Sequence, residues 1–339
     1  MRAVGVIALI VLAACTEPSA QTPSPSSRPS PTPTAQAACR LPVWWPANPT
    51  ATSVDIHAAF VSIPDGVITD VGVLPEPPTS PQGLASVQTY AATYESASNR
   101  WVRVDRAFLS PEGTSFAYWT STGSNDNSVH VVDVATSVDR TIYRGSTLFI
   151  VIGFEAKGIY LVHGIAPRQG AFENLYLLDP AGGIPRLVPG SDRHMYQYGW
   201  ALISDGAAWG IDYRVDGNAN IYSVVRFDLG TGEPTQWIEG PADDLFWPLG
   251  TDSAHRLYVG DYHGNLRRVA APGQFEVLAN PGQVGTGGGI GSSSSFVSDS
   301  LGEWFAGNGG VWLYSDTGQP RLFGIGPQNG QVFPAGPCV

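Results

Sequence analysis

The sequence predicts an all-β chain whose four-stranded antiparallel units repeat and close into a ring. Three observations predict it. A turn of the Ser-Pro-Glu-Gly kind, followed by a strand aromatic, recurs down the chain. A second turn, rich in Asp or Gly, keeps step with the first. Two cysteines, Cys39 and Cys338, stand at the two ends of the folded region. Self-similarity at a fixed period is the signature of repeat architectures.

The clearest copy runs from Asp105 to Gly145. Arg106 to Leu109 leads into the turn Ser110-Pro111-Glu112-Gly113, then Phe116 to Trp119, a polar loop, Val129 to Val134, a second turn, and Thr141 to Tyr143. Those are four short strands. The aromatic after the first turn stands at Tyr118, Tyr160, Trp209, Tyr258 and Trp304, in steps of 42 to 49 residues, the span of a four-stranded unit. The second turn begins at Asp133, Asp179, Asp228 and Ser315. Asp starts such turns by bonding its own downstream backbone, and Gly supplies positive φ. Apolar runs such as Leu148 to Phe154 suit strands buried on both faces between stacked sheets.

Counting units predicts a six-bladed β-propeller of four-stranded antiparallel blades at 53–104, 105–145, 146–191, 194–240, 244–281 and 289–326. Residues 40–46 and 330–338 meet to close it. Ser110 to Trp119 resembles the inner hairpin of the WD40-like or TolB-type propeller repeat, with its Ser-Pro-Asp-Gly-type turn. More degenerate copies carry the resemblance over 105–325. By fold-level analogy alone, it implies a subunit of an envelope complex.

The N-terminus has its own logic. Arg2 and the apolar run Val4 to Leu12 read as a secretion leader over 1–14, too short to span a bilayer as a mature helix. Leu12-Ala13-Ala14-Cys15 resembles the bacterial lipobox, which implies a palmitoylated Cys15 as first mature residue and a membrane anchor through its acyl chains. Residues 15–38 are mostly Pro, Ser, Thr, Ala and Gln, the composition of a disordered linker. The propeller domain then spans 39–339, facing outside the cytoplasm. In that oxidising setting the pair Cys39 and Cys338 reads as a disulfide.

A formal charge of −11 and the lack of a basic cluster exclude nucleic acid as a partner. No Gly-x-Ser-x-Gly, His-Glu-x-x-His or Cys-x-x-Cys motif appears. In a propeller the loops from second to third strand share one face with the loops between blades. That face collects the candidate ligand-binding residues Asp192, Arg193, His194, Tyr213, Arg214, Asp261 and His263. Asp261-Tyr262-His263-Gly264 puts a carboxylate and an imidazole on one tight turn, a metal half-site or an ordinary Asp turn. Asp216, Asn218 and Asn220 alternate like the opening of a calcium loop, but Ile221 and Phe227 replace its Gly and Glu. No cofactor is assigned; a looser calcium site between loops stays open. Trp200 and Trp247 are candidates for stacking a sugar, whereas Trp119, Trp209, Trp304 and Trp312 read as packing.

The first reading is therefore a lipid-anchored envelope protein whose ring binds a protein or carbohydrate ligand without catalysis. The alternatives are a metal-dependent lactonase or sugar-dehydrogenase type of propeller enzyme, and a subunit of an envelope complex.

Overall fold

The computed structural model describes residues 38–47, 54–75, 91–121, 126–164, 172–193, 199–241, 246–261, 264–279, 296–315, 320–326 and 330–339. Among them every regular element is a strand, apart from two short 3-10 turns, and no helix is long and apolar enough to cross a membrane. The leader, Cys15 and the linker up to residue 37 lie outside the described residues, as do His194, Tyr262 and His263.

The first sheet contains β1 (Cys39–Ala47), β2 (Asp55–Ile63) and β3 (Ile68–Val73). A separate hairpin follows, β4 (Thr93–Glu95) with β5 (Arg100–Val102). Next come β6 (Ser115–Ser121), β7 (Asn127–Asp133) and β8 (Asp139–Gly145), with Leu109 bridging to Phe116 at the edge. Three four-stranded sheets succeed one another. The first is β9 (Phe149–Glu155), β10 (Gly158–Gly164), β11 (Phe172–Leu178) and β12 (Arg186–Leu187). The second is β13 (Gly199–Ser204), β14 (Ala207–Asp216), β15 (Ala219–Asp228) and β16 (Pro234–Pro241). The third is β17 (Phe246–Thr251), β18 (Leu257–Asp261), β19 (Leu266–Ala271) and β20 (Gln274–Ala279). The last group is β21 (Phe296–Asp299), β22 (Gly302–Asn308), β23 (Gly310–Tyr314) and β24 (Arg321–Gly324). Finally β25 (Gln331–Pro334) pairs with both β22 and β1, joining the last group to the first sheet.

Local chemistry builds the turns. Gly113, at φ 68°, donates its N–H to Ser110 O at 2.8 Å and closes the first. Asp133, Asp179 and Asp228 accept from Thr136 N at 2.7 Å, Ala181 N at 2.8 Å and Gly230 N at 2.9 Å. The Thr231 N–H above all, then Arg226 and the Gly230 N–H, hold the Asp228 carboxyl down at about 2. Each such bond favours the charged form.

Packing follows the alternation of each strand. One face of β6 and β7 sends Ala117, Trp119, Val129 and Val131 against Phe149, Val151 and Leu161 of the next sheet. Trp209 packs among Val224, Phe246 and Val259 across the following boundary, and Tyr258 among Leu249, Phe296 and Phe305 across the one after. Trp304 sits with Leu41, Val61 and Val332 where last sheet meets first. Each sheet thus packs on its successor, and the last on the first. Burying one such aromatic or aliphatic side chain contributes about 1.5–3 kcal/mol.

The seam is tied covalently. Cys39 and Cys338 form a disulfide with Cα atoms 5.7 Å apart and 299 residues between them in sequence. Loop entropy alone assigns such a closure ~5–6 kcal/mol. Arg40 N donates to Val339 O at 2.8 Å and Val339 N returns the bond to Arg40 O at 3.0 Å. Asp299 accepts from Cys338 N and Trp304 Nε1, both at 2.9 Å.

One expectation is changed. The unit 53–104 is not a single sheet: β2 and β3 belong with β1, while β4 and β5 pair only with each other. The reason is register. β1 runs beside β2 along its whole length, from Cys39 opposite Ile63 to Ala47 opposite Asp55, and so fills the edge that a later strand would need.

Candidate functional site

The first strands of successive sheets, β9, β13, β17 and β21, neighbour one another in turn. Their last residues converge on a cavity of about 460 Å³, also walled by β4 and the turn before β6. Phe154, Leu202, Leu249 and Phe296 supply apolar wall. Polar residues at or next to the ends of these first strands supply the rim: Ser110 after the Leu109 bridge, Glu155, Ser204, Thr251, and Ser298 one residue before the end of β21. Ser204 Oγ and Thr251 Oγ1 lie 2.6 Å apart and couple two sheets.

Two charged groups break the pattern. Glu155 is the one acid in that column, half-buried, with no hydrogen bond to another described residue. Burial, then repulsion from Asp205, pushes its carboxyl above the ordinary value. Arg106 projects from the 3-10 turn Arg106–Phe108, whose N-cap Asp105 accepts from Ala107 N at 3.0 Å. Arg106 is exposed as a residue and lines the open side of the cavity, with the wall crowding its guanidinium on the other side. Desolvation pulls its pKa down, against the opposing charges of Glu95 and Asp105. It makes no hydrogen bond or ion pair with another described residue. Glu95, by contrast, already accepts from Ala97 N at 2.9 Å. A guanidinium can take a carboxylate or phosphate in bidentate fashion, and hydroxyls can orient a polar ligand.

The described residues expected to form a binding face lie on three separate elements. Asp192 is exposed on the 3-10 turn Ser191–Arg193, which also carries the backbone of Arg193. Its neighbour Ser191 is buried and bonded to Val188 O at 2.8 Å, so this loop is pinned from beneath. Tyr213 and Arg214 lie on the far half of the β14–β15 hairpin, bonded to Asn220 Oδ1 at 2.6 Å and paired with Glu239 at 3.0 Å. Asp261 is fully buried. It accepts from Asn265 N and Nδ2 at 2.8 Å and from Arg267 Nη2 at 2.9 Å. Its carboxylate is spent in its own turn.

Other expectations are also resolved. Asp216 pairs with Ala219 across a two-residue hairpin turn, so the Asp216–Asn220 stretch is ladder rather than ion loop. Trp200 is buried against Phe227 at 5.3 Å and offers no face to a sugar. Trp209 and Trp304 are core, as read from their strands. Among the described residues no group of three or more His, Cys, Asp and Glu side chains could hold a metal ion.

Sequence reading passed over the rim because it assigned residues around the first turns to turn formation alone. A signal was present: five polar residues at or next to the ends of the first strands, with Glu155 the charged exception.

No protein-family profile matches this chain. No curated protein matches it either. Among solved structures it is similar to TolB from Acinetobacter baumannii, at 11% identity and TM-score 0.41, covering 87% of this chain and 63% of that one. The β-propeller domain of the Trilobed protease from Pyrococcus furiosus aligns at 9% identity and TM-score 0.43, over 84% of both chains. An oligogalacturonate lyase from Vibrio parahaemolyticus aligns at 10% identity and TM-score 0.41, over 88% of this chain and 91% of that one. The chain thus spans less than two thirds of TolB.

Proposed function

We propose that this protein is a cell-envelope lipoprotein, anchored through Cys15, whose ring of sheets is a six-bladed propeller that serves as a ligand-binding scaffold. In this reading β25 completes the first blade ahead of β1, the Leu109 bridge completes the second, and the β4–β5 hairpin is an insertion between them. The disulfide suits a compartment outside the cytoplasm.

The axial cavity is the binding site. The observation that carries this is the pair Arg106 and Glu155, two charged groups inside a concave site without partners among the described residues. Charged groups that gather at one concave site without protein partners suit an external one, and the half-buried Glu155 carboxyl gains most from it. The ligand is a small polar molecule with an anionic group for Arg106, ringed by hydroxyls and resting on an apolar wall.

The test is a panel of organic acids, amino acids and acidic sugars titrated into the purified protein by calorimetry. A hydrogen bond to a charged group contributes about 1.5–3 kcal/mol, so Arg106→Ala should weaken binding by at least about tenfold. No binder, or a binder indifferent to both Arg106→Ala and Glu155→Gln, overturns the reading. The anchor has a separate test: palmitate label should be lost in Cys15→Ala, and equal lack of label in both proteins removes it.

A further inference from the structure

Away from the axial cavity, one face of the β6–β7–β8 sheet carries a polar chain that packing does not require. Tyr118 stands opposite His130 and Thr120 opposite Ser128, while His130 stands opposite Thr141 and Val132 opposite Asp139. Directly paired side chains share a face of an antiparallel sheet. The other face of the same sheet is apolar throughout its centre, with Ala117, Trp119, Val129, Val131 and Ile142.

The distances order these groups. Ser128 Oγ lies 2.8 Å from His130 Nε2, and His130 Nδ1 lies 3.1 Å from Asp139 Oδ1. The Tyr118 hydroxyl donates to the other oxygen of Asp139, and the Tyr118 ring stacks on the imidazole at 4.6 Å. Thr120 Oγ1 lies 2.6 Å from Ser128 Oγ. An ionised carboxylate only accepts, so Asp139 takes the Nδ1–H and leaves Nε2 as an acceptor. Ser128 then donates to Nε2, and Thr120 donates to Ser128. Every hydrogen points one way along the chain. This is the order nucleophile, base, orienting carboxylate.

We infer that Ser128, His130 and Asp139 form a nucleophilic serine site that accepts acyl groups from activated esters. The side chains of His130 and Asp139 keep 14% and 24% of their surface, so the site is reachable. Apolar packing towards the β4–β5 hairpin covers Phe116, Tyr118 and Val132 and stops short of Ser128. The other cross-strand pair of this kind, His57 with Asp70 at 2.6 Å, has no hydroxyl on its second nitrogen among the described residues.

The chemistry balances with water as the only co-reactant. Ser128 Oγ bonds to the acyl carbon while its proton passes to His130 Nε2. The carbonyl electrons move to oxygen and return to expel the alcohol, which takes the proton from Nε2. Water then repeats the sequence and frees the acid and Ser128. The sheet's N–H groups along β7 are engaged in ladders on both sides. The side-chain hydroxyl beside Ser128 is that of Thr120, which can serve an oxyanion only by turning its hydrogen away from Ser128 Oγ. One side-chain donor of this kind is worth on the order of 10²–10³ in rate, which restricts the site to good leaving groups such as phenols and thiols.

The test is active-site labelling of the purified full chain with an alkyl fluorophosphonate, mapped by peptide mass spectrometry, beside turnover of p-nitrophenyl acetate. The phosphonyl group should appear once per chain, on Ser128, with fluoride released. Ser128→Ala should abolish it. His130→Gln and Asp139→Asn should slow it by on the order of 10²–10⁴, the usual worth of a positioned base. Ser128→Cys guards against loss of fold in those variants: its new thiol should react with iodoacetamide faster than the same thiol in urea. Absence of label on Ser128, an unchanged rate in His130→Gln, or a Ser128→Cys thiol no faster than its unfolded control overturns the proposal and leaves a purely structural relay.

Discussion

Glu155 and Asp261 each sit at a strand end, one on β9 and the other on β18, and they have opposite fates. Asp261 is fully buried and satisfied, with two bonds from Asn265 and one from Arg267. Glu155 is half exposed and unbonded among the described residues, with its carboxyl pushed above the ordinary value. A buried carboxylate with full partners is part of the scaffold. A cavity carboxylate without them is a cost the fold tolerates. Both are acids; the difference lies in whether neighbours in the next few residues can donate. Asn265 and Arg267 follow Asp261 closely and bond to it, whereas in Ala156-Lys157-Gly158 the one side-chain donor, Lys157, makes no bond to Glu155.

The sharpest way to break this contrast is Asp261→Ala. It takes the carboxylate partner from the Arg267 guanidinium, whose side chain is only 12% exposed. Removing one partner of a buried pair costs about 3–5 kcal/mol. Urea unfolding should show that loss; a change under about 1 kcal/mol would mean Asp261 is not structural.

A somewhat smaller effect is expected at the seam. Replacing Cys39 and Cys338 together by Ala should cost about 2–5 kcal/mol. The same unfolding assay, run on wild type with and without reductant, should reproduce the difference.

Glu155→Gln should do the reverse on a smaller scale. A raised folded-state pKa means the native protein prefers the protonated acid. The stabilisation it contributes is present at low pH and lost as pH rises through the folded pKa. At neutral pH the amide should therefore be as stable as wild type or better, by up to about 1 kcal/mol after solvent screening. The stability profile just above pH 4.5 should flatten, and a profile unchanged by the substitution removes Glu155 from the argument.

Least of all should follow from Arg214→Ala. Its pair with Glu239 is 52% and 43% exposed on an outer hairpin. Exposed pairs contribute about 0–1 kcal/mol, and a melting curve should barely move. A large drop would show that the hairpin is part of the core.

Much of the fold was legible in sequence. The turns at Ser110, Asp133, Asp179 and Asp228 could be read because an Asp or Gly acts on its own neighbours. The first sheet was misread because its partner strand, β1, lies before the apparent repeat, and the hairpin β4–β5 carries no turn of the repeating kind. The rim residues were visible only as single polar letters. Nothing local distinguishes Glu155 before its turn from any solvated acid.

What the amino-acid order determined alone is what short range can set: strands, turns and the antiparallel class. Tertiary structure decided which distant groups meet. Arg106, Glu155 and Thr251 come together only because successive sheets turn their first strands inward. Asp139 of β8 reaches His130 of β7 only in one register, since a slip of one residue would send the two side chains to opposite faces.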